Sequence, residues 1–213
     1  MYIPRPYAVN ESTEQQRFIQ HNPLATLISR QQEILQADHI PMLLSDNEPM
    51  RLLGHVARAN PLWQSHDINE TVLLIFQGAD GYISPNWYPS KALHGKDVPT
   101  WNYQAVHVYG KLVVHDDVRW LRDFLEKLTR QHESRFASPW QVSDAPEDYM
   151  QKMLNAIVGI EIVVERIVGK YKLSQNRQTA DCQGAINGLA AQPSEKEKLL
   201  LAEMCRVNAL TPD

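Results

Sequence analysis

Two cysteines, Cys182 and Cys205, occur in 213 residues. That is too few for a disulfide framework or a cysteine-rich zinc site. No apolar run approaches the ~20 residues that cross a bilayer. The opening Met-Tyr-Ile-Pro-Arg-Pro-Tyr also lacks the charged and apolar regions of a signal peptide. A reduced, cytoplasmic setting without membrane association is therefore expected. Neither charge dominates: 21 basic and 25 acidic residues leave a net charge of −4. Strong duplex-DNA binders usually show a basic excess, which the total here does not supply. There is no Gly-rich phosphate loop, dinucleotide fingerprint or Gly-x-Ser-x-Gly elbow. The eight histidines include no pair at zinc-helix spacing, so no metal site is expected. No side chain stands out as a catalytic acid, base or nucleophile.

What the chain does have is ordinary globular composition, 43% hydrophobic and 22% charged, with a core that needs no covalent staples. Its most unusual stretch runs from Gly81 to Tyr109, where Trp87, Trp101 and four tyrosines are set among Asn, Ser, Thr, Lys and His. Pro85, Pro89 and Pro99 fix the backbone and remove N–H donors. The first half is accordingly expected to be neither a central strand nor a regular helix, but a rigid loop presenting flat rings and polar groups together. Two readings follow: a site for a planar, polar, anionic ligand, or an aromatic loop packed over a barrel end or dimer seam.

Taken in order, Ser12 or Thr13 caps a short helix through about Gln20. Strands are expected at Leu24–Ser29, at Ile34–Leu44 with breaks near Asp38-His39 and Pro41, at Leu52–Ala59 and at Thr71–Phe76, the last buried on both faces. Ser45 to Pro49 reads as a turn. Ala105–His115 is a long strand, followed by a helix from Val118 to about Gln131 capped by Asp116 or Asp117. A second helix is expected from Pro146 to Val158, with Met150, Met153, Leu154 and Ile157 inward and Gly159 ending it. Ile160–Val168 is a strand. Thr179–Ala191 is weakly helical, and Ser194-x-x-Glu197 has the spacing of a capping box for a terminal helix. About seven short strands with inserted helices indicate a mainly β chain with α additions, closing as an antiparallel barrel.

Four polar clusters stand apart from this core: Asp38-His39; His55 with Arg58 and Asn60; Ser84–Lys91 with Thr100–Tyr103; and Lys172 with Ser174–Arg177. Arg58, Lys91, Ser90, Thr100 and Arg177 are the residue types that hold phosphate. Trp87, Trp101, Asn102 and Gln175 suit a flat ring edged with carbonyls. His39, beside Pro41 at a strand break, is a further candidate.

Six segments in order carry a resemblance: Met1-Tyr-Ile-Pro4; Asp38-His-Ile-Pro41; Gly54-His-Val-Ala-Arg-Ala-Asn-Pro61; Tyr82-Ile-Ser-Pro-Asn-Trp-Tyr88 with Pro89 and Lys91; Val98-Pro-Thr-Trp-Asn-Tyr103; and Lys172-Leu-Ser-Gln-Asn-Arg177. The sequence resembles the FMN-binding, PaiB-type negative transcriptional regulators of bacteria. The resemblance spans residues 1 to about 190 and leaves 191–213 as a helical tail. It implies a split β-barrel of the flavin reductase and pyridoxamine phosphate oxidase type, a homodimer with FMN at the subunit seam, and transcription repression with DNA as a partner. By position it implies Arg58, Lys91 and Arg177 as phosphate or ring-edge contacts. Trp87 and Trp101 become stacking partners, and His39, Asn60, Thr100, Asn102 and Gln175 polar contacts. Three functions remain in competition: a flavin-binding regulator, a flavin oxidoreductase acting on a small metabolite or nicotinamide donor, and a flavinless dimer.

Overall fold

Capping chemistry sets where one of the long helices begins. In the computed structural model, which describes residues 1–31, 33–45, 49–65, 67 and 70–213, the Asp117 carboxylate accepts the Trp120 N–H at 2.8 Å. This opens α4 (Val118–Glu133), whose Leu121 and Phe124 turn inward as the helical spacing predicts. α1 (Ser12–His21) has Ser12, expected with Thr13 as a possible cap, as its first helical residue.

Eight strands form one sheet: β1 (Ala8–Val9), β2 (Leu24–Gln31), β3 (Ile34–Pro41), β4 (Leu43–Leu44), β5 (Arg51–Ala57), β6 (Thr71–Ile83), β7 (Thr100–His115) and β8 (Ile157–Lys172). Their order is β3-β2-β6-β7-β8-β5-β4, with β1 on β8. The mainly β, α-decorated class expected from the sequence is what the chain adopts. Eight strands stand where about seven short ones were expected, and three of them are long: β6, β7 and β8 run for 13, 16 and 16 residues.

The chain divides into two units. Unit 2 is Ile19–Phe76 with His107–Ile167. Here β2 pairs antiparallel with β3 from Leu24↔Pro41 to Gln31↔Ile34, and β5 pairs with β8 from Arg51↔Val163 to Ala57↔Ile157. The hairpin turns through Glu33, whose φ is +66°. The expected Ile34–Leu44 strand is interrupted at Met42, and the Asp38-His39 pair does not break it. Thr71–Phe76 is not buried on both faces; it alternates between buried and more exposed positions. α2 (Leu62–Ser65) is a short helical segment after Pro61. Of the Ser45–Pro49 turn, residues 46–48 lie outside the described residues.

Two boundaries in unit 2 differ from expectation. α5 (Glu147–Asn155) is shorter than Pro146–Val158, with Pro146 at its N-cap. Ile157 begins β8 instead of extending the helix, and Met153 is exposed while Met150 and Leu154 are buried. Gly159 does not terminate a helix. It lies within β8, where an added Cβ would fall 2.3 Å from Trp120 Cζ3. The glycine is there for close approach, not for a turn.

Unit 1 comprises Met1–Phe18, Gln77–Val106 and Val168–Asp213. The stretch read as a rigid loop is largely regular. β6 continues to Ile83, a 3-10 turn covers Pro85–Trp87, and α3 (Pro89–His94) follows. Pro89 does not prevent that helix because it occupies the first turn, where the missing N–H has no intrahelical acceptor to lose. Likewise β7 starts at Thr100, directly after Pro99, so Trp101, Asn102 and Tyr103 are strand residues. α6 (Thr179–Ala190) and α7 (Glu195–Asn208) complete the unit. Ser194 precedes α7 without making the side-chain cap its spacing promised. The helix is held instead by burial of Leu200 and Met204, each giving about 1.5–3 kcal/mol relative to exposure.

Candidate functional site

Unit 1 gathers most of the predicted residues. Thr100 and Asn102 on β7 meet Lys172, Ser174 and Arg177 from the end of β8 and the turn that follows, around a pocket of about 140 Å³ that Tyr7, Tyr88 and Asn176 also line. Lys172 Nζ donates to Thr100 Oγ1 and to the Trp101 carbonyl. Burial, then the neighbouring charges of Lys170 and Arg177, hold the Lys172 pKa below the ordinary lysine value. Asn102 is 1% exposed and donates to Ser174 Oγ at 2.9 Å and to Met204 Sδ at 3.3 Å.

The turn itself is strained. Ser174 takes a φ of +70°, a region that non-glycine residues seldom occupy, and its carbonyl accepts the Arg177 N–H at 2.9 Å. This turn aims Arg177 at Asp97, with Nη1 to Oδ1 at 2.6 Å, and lays its guanidinium 4.3 Å over the Tyr88 ring. The Ser90 hydroxyl and then Arg177 hold the Asp97 carboxyl below the usual carboxylate range. Tyr88 is 3% exposed, and its hydroxyl makes no hydrogen bond of normal geometry among the described residues.

The remaining unit 1 candidates have different settings. Trp101 is 54% exposed, edge-on to Tyr82 at 6.3 Å. Lys196 stands 5.7 Å over the Trp101 ring while pairing with Asp80 at 2.7 Å. Trp87, expected to stack on a ligand, packs against α6. A Cβ at Gly188 would lie 2.2 Å from its ring, so that glycine makes room for the indole. Lys91 donates to Asn86 Oδ1. Gln175 closes the end of β8 by accepting from Leu173 N at 2.7 Å and donating to the Tyr171 carbonyl at 2.6 Å.

The three other candidates lie in unit 2, where their partners are structural. Arg58 forks onto Asp116 at 2.6 and 3.0 Å and donates to the Asn155 and Ile157 carbonyls. Asn60 donates to Asp38 at 2.8 Å and accepts the Leu62 N–H at 2.8 Å, which starts α2. His39 is exposed on β3.

The sequence places Lys172 and Tyr88 within polar clusters but not among the expected ligand contacts. It does not mark Asp97 or Lys170. Tyr88 and Asp97 belong to the segment between the two tryptophans, and nothing in their spacing marks them as facing residues some 80 positions further on.

The donor set of the pocket suits a phosphate, but its volume does not suit a three-ring isoalloxazine. Pockets that enclose drug-sized ligands measure ~300–1,000 Å³. The flat aromatic surface in this unit is the exposed Tyr82 and Trp101 pair next to the pocket residue Thr100.

Comparison with known proteins matches residues 1–166 to a family described as "Putative FMN-binding domain". The protease synthase and sporulation protein PAI 2 of Bacillus subtilis is 34% identical over 95% of this chain and 97% of its own length. That coverage reaches into the tail that the sequence set outside the resemblance. An uncharacterized protein of Emericella nidulans is 32% identical over 88% of this chain and 90% of its own, so the relatives are not confined to bacteria. Among solved structures, the FAD and heme binding protein of Mycobacterium smegmatis superposes with a TM-score of 0.58 at 13% identity, over 78% of this chain and 73% of that one. The flavocytochrome Anf3 of Azotobacter vinelandii gives 0.55 at 14% identity, over 92% and 78%. At such identities the likeness shows the fold alone, which is the split barrel.

Proposed function

The chain belongs to this FMN-binding domain family, and from that premise we propose that its flavin is held in unit 1, by the residues around Thr100, Trp101, Asn102, Lys172 and Arg177. It is an FMN-binding split-barrel protein resembling the PaiB-type regulators. The observation that carries the assignment of residues is their convergence. Side chains from β7 and from the Lys172–Arg177 turn, some 70 positions apart, share one polar pocket beside two exposed aromatic rings.

Lys172 and Arg177 supply charge for the phosphate end, and Trp101 supplies a face for the ring. When bound, FMN provides electron transfer at its ring, while the protein supplies orientation and polarity. In this reading the exposed rings become covered by a second copy, giving a homodimer with the flavin at the seam. Tyr82 at 47%, Trp101 at 54% and Val98 at 66% exposure support that arrangement.

A regulatory role follows from the Bacillus subtilis relative, whose name links it to protease synthesis and sporulation. DNA is its expected partner and the cytoplasm its expected location. No helix among the described residues is long and apolar enough to cross a membrane.

An FMN titration of the purified protein, read by flavin absorbance and fluorescence, tests the assignment. Trp101→Ala is expected to weaken binding at least tenfold, or about 1.4 kcal/mol, without loss of fold. Unchanged affinity in that variant would remove the site from unit 1. Sedimentation with and without FMN tests the dimer. A gel shift with oxidised and reduced protein tests the regulator, and NADH turnover by the FMN-loaded protein separates it from an oxidoreductase.

A further inference from the structure

Helix α4 of unit 2 carries a charged stripe that the flavin reading does not use. Glu126, Arg130 and Glu133 follow one another at intervals of four and three residues, so they line one side of the helix. Pro139, Trp140 and Val142, from the connection that leads into the 3-10 turn Val142–Asp144, complete a groove with them of about 520 Å³. Pockets that take small molecules measure ~300–1,000 Å³.

The connection is pinned by its own backbone. The Glu133 carbonyl accepts the Phe136 N–H at 2.9 Å, and the Glu133 carboxylate accepts the Trp140 N–H at 2.9 Å. The next amide, that of Gln141, donates to the Asp144 carboxylate at 2.9 Å. Held at two successive amides, Trp140 still leaves its indole 45% exposed, whereas Val142 at 6% is part of the packed interior. A large ring left open to water beside a groove has apolar area still to bury.

The charges of the groove are also unspent. A spacing of four residues suits an intrahelical salt bridge between Glu126 and Arg130, yet they form none. Among the described residues neither has an ion pair, although Arg122 on the same helix reaches Glu147. The groove thus offers a carboxylate and a guanidinium about 6 Å apart along the helix axis, next to an apolar wall. A ligand of one charge leaves one of them unmatched. A zwitterion with both charges on one carbon matches the pair: its carboxylate takes the arginine fork and its ammonium meets the glutamate. A third substituent on that carbon lies against Trp140, Pro139 and Val142.

We propose that this groove binds a free α-amino acid with a large apolar side chain. Arg130 holds the carboxylate, Glu126 the ammonium and Trp140 the side chain, while Glu133 fixes the backbone that presents the indole. The site does not rest on the flavin reading and stands or falls without it.

The test is calorimetric titration of the full chain with L-phenylalanine and L-leucine. Phenethylamine, which lacks the carboxylate, and 3-phenylpropionate, which lacks the ammonium, are the comparison ligands. Saturable binding of both amino acids is expected, with each comparison ligand weaker by about tenfold or more. Glu126→Gln and Arg130→Gln should each weaken L-phenylalanine by a similar factor. Arg135→Gln, which removes a nearby charge outside the groove lining, should leave it unchanged. L-leucine has no fluorescence of its own, so its binding should alter the protein's tryptophan emission in wild type and not in Trp140→Leu. Circular dichroism establishes that each variant is folded, and their exposed positions make loss of fold an unexpected result.

No saturation up to about 10 mM amino acid overturns the site. Equal affinity for phenethylamine or 3-phenylpropionate overturns the zwitterion. Equal weakening by Arg135→Gln shows a general effect of charge and overturns the assigned contacts. An emission change that persists in Trp140→Leu places the amino acid elsewhere and overturns the groove.

Discussion

The imidazole of His115 lies parallel to the indole of Trp120, with centroids 4.3 Å apart and planes within 5°. Trp120 in turn stacks on Phe124 at 5.5 Å, and Phe124 meets His55 edge-on. The stack closes over Gly159, which has no Cβ to obstruct it. Gly159→Ala would place a methyl 2.3 Å from Trp120 Cζ3 and 3.0 Å from the His115 carbonyl. The expected cost is about 1–3 kcal/mol of overpacking. A lower urea midpoint with altered tryptophan emission would record it, and an unchanged midpoint would show that the indole moves freely.

Arg58 was one of the phosphate candidates in the sequence, yet its guanidinium is occupied by Asp116 and two backbone carbonyls. Arg58→Ala should lower the unfolding midpoint and leave FMN affinity within about twofold of wild type, a difference of roughly 0.4 kcal/mol. Should affinity collapse while stability holds, the assignment of Arg58 to the framework is wrong.

The C-terminal helix gives a paired comparison. Leu200 is fully buried and neighbouring Leu199 is 65% exposed. Leu200→Ala should cost about 2–5 kcal/mol, and Leu199→Ala less than about 0.5 kcal/mol. Equal effects in chemical denaturation would mean that α7 is not docked through this face.

Glu14 sets an acid limit on stability. The Arg17 guanidinium donates to it at 2.8 and 2.9 Å and holds its carboxyl down at about 2, from an ordinary 4.5. A carboxyl depressed in the folded state contributes stability that is fully present above 4.5. That contribution is lost as pH falls from there through about 2. Urea midpoints between pH 6 and pH 2.5 should fall more steeply for wild type than for Glu14→Gln. Parallel slopes would assign acid sensitivity to other carboxylates.

What was legible in the sequence depended on whether the deciding partner was local. α1 and α4 were readable because cap, period and partner lie within one turn of each other. Trp101–Tyr103 was misread as loop because Pro99 suggested a break, whereas the strand begins one residue later on pairing the sequence does not display. Arg58 looked like a ligand contact because its real partners, Asp116 and Asn155, are 58 and 97 positions away. Tyr88, though inside a recognised cluster, was not marked as a contact for the same reason: its cation comes from Arg177, and only the fold brings them together. The polar clusters were recognisable as unusual, but which were framework and which formed a pocket was a question of distant geometry.

The way each unit is stitched from separate stretches also bears on the order of synthesis. Unit 2 has all its chain once Ile167 has been added, whereas unit 1 waits for Val168–Asp213 to join segments made much earlier. During elongation Phe18, buried in the finished protein, has no Tyr171 ring to lie against. A ribosome paused shortly after Ile167 would hold a nascent chain with apolar surface of unit 1 still seeking cover, and such chains invite chaperones or aggregate.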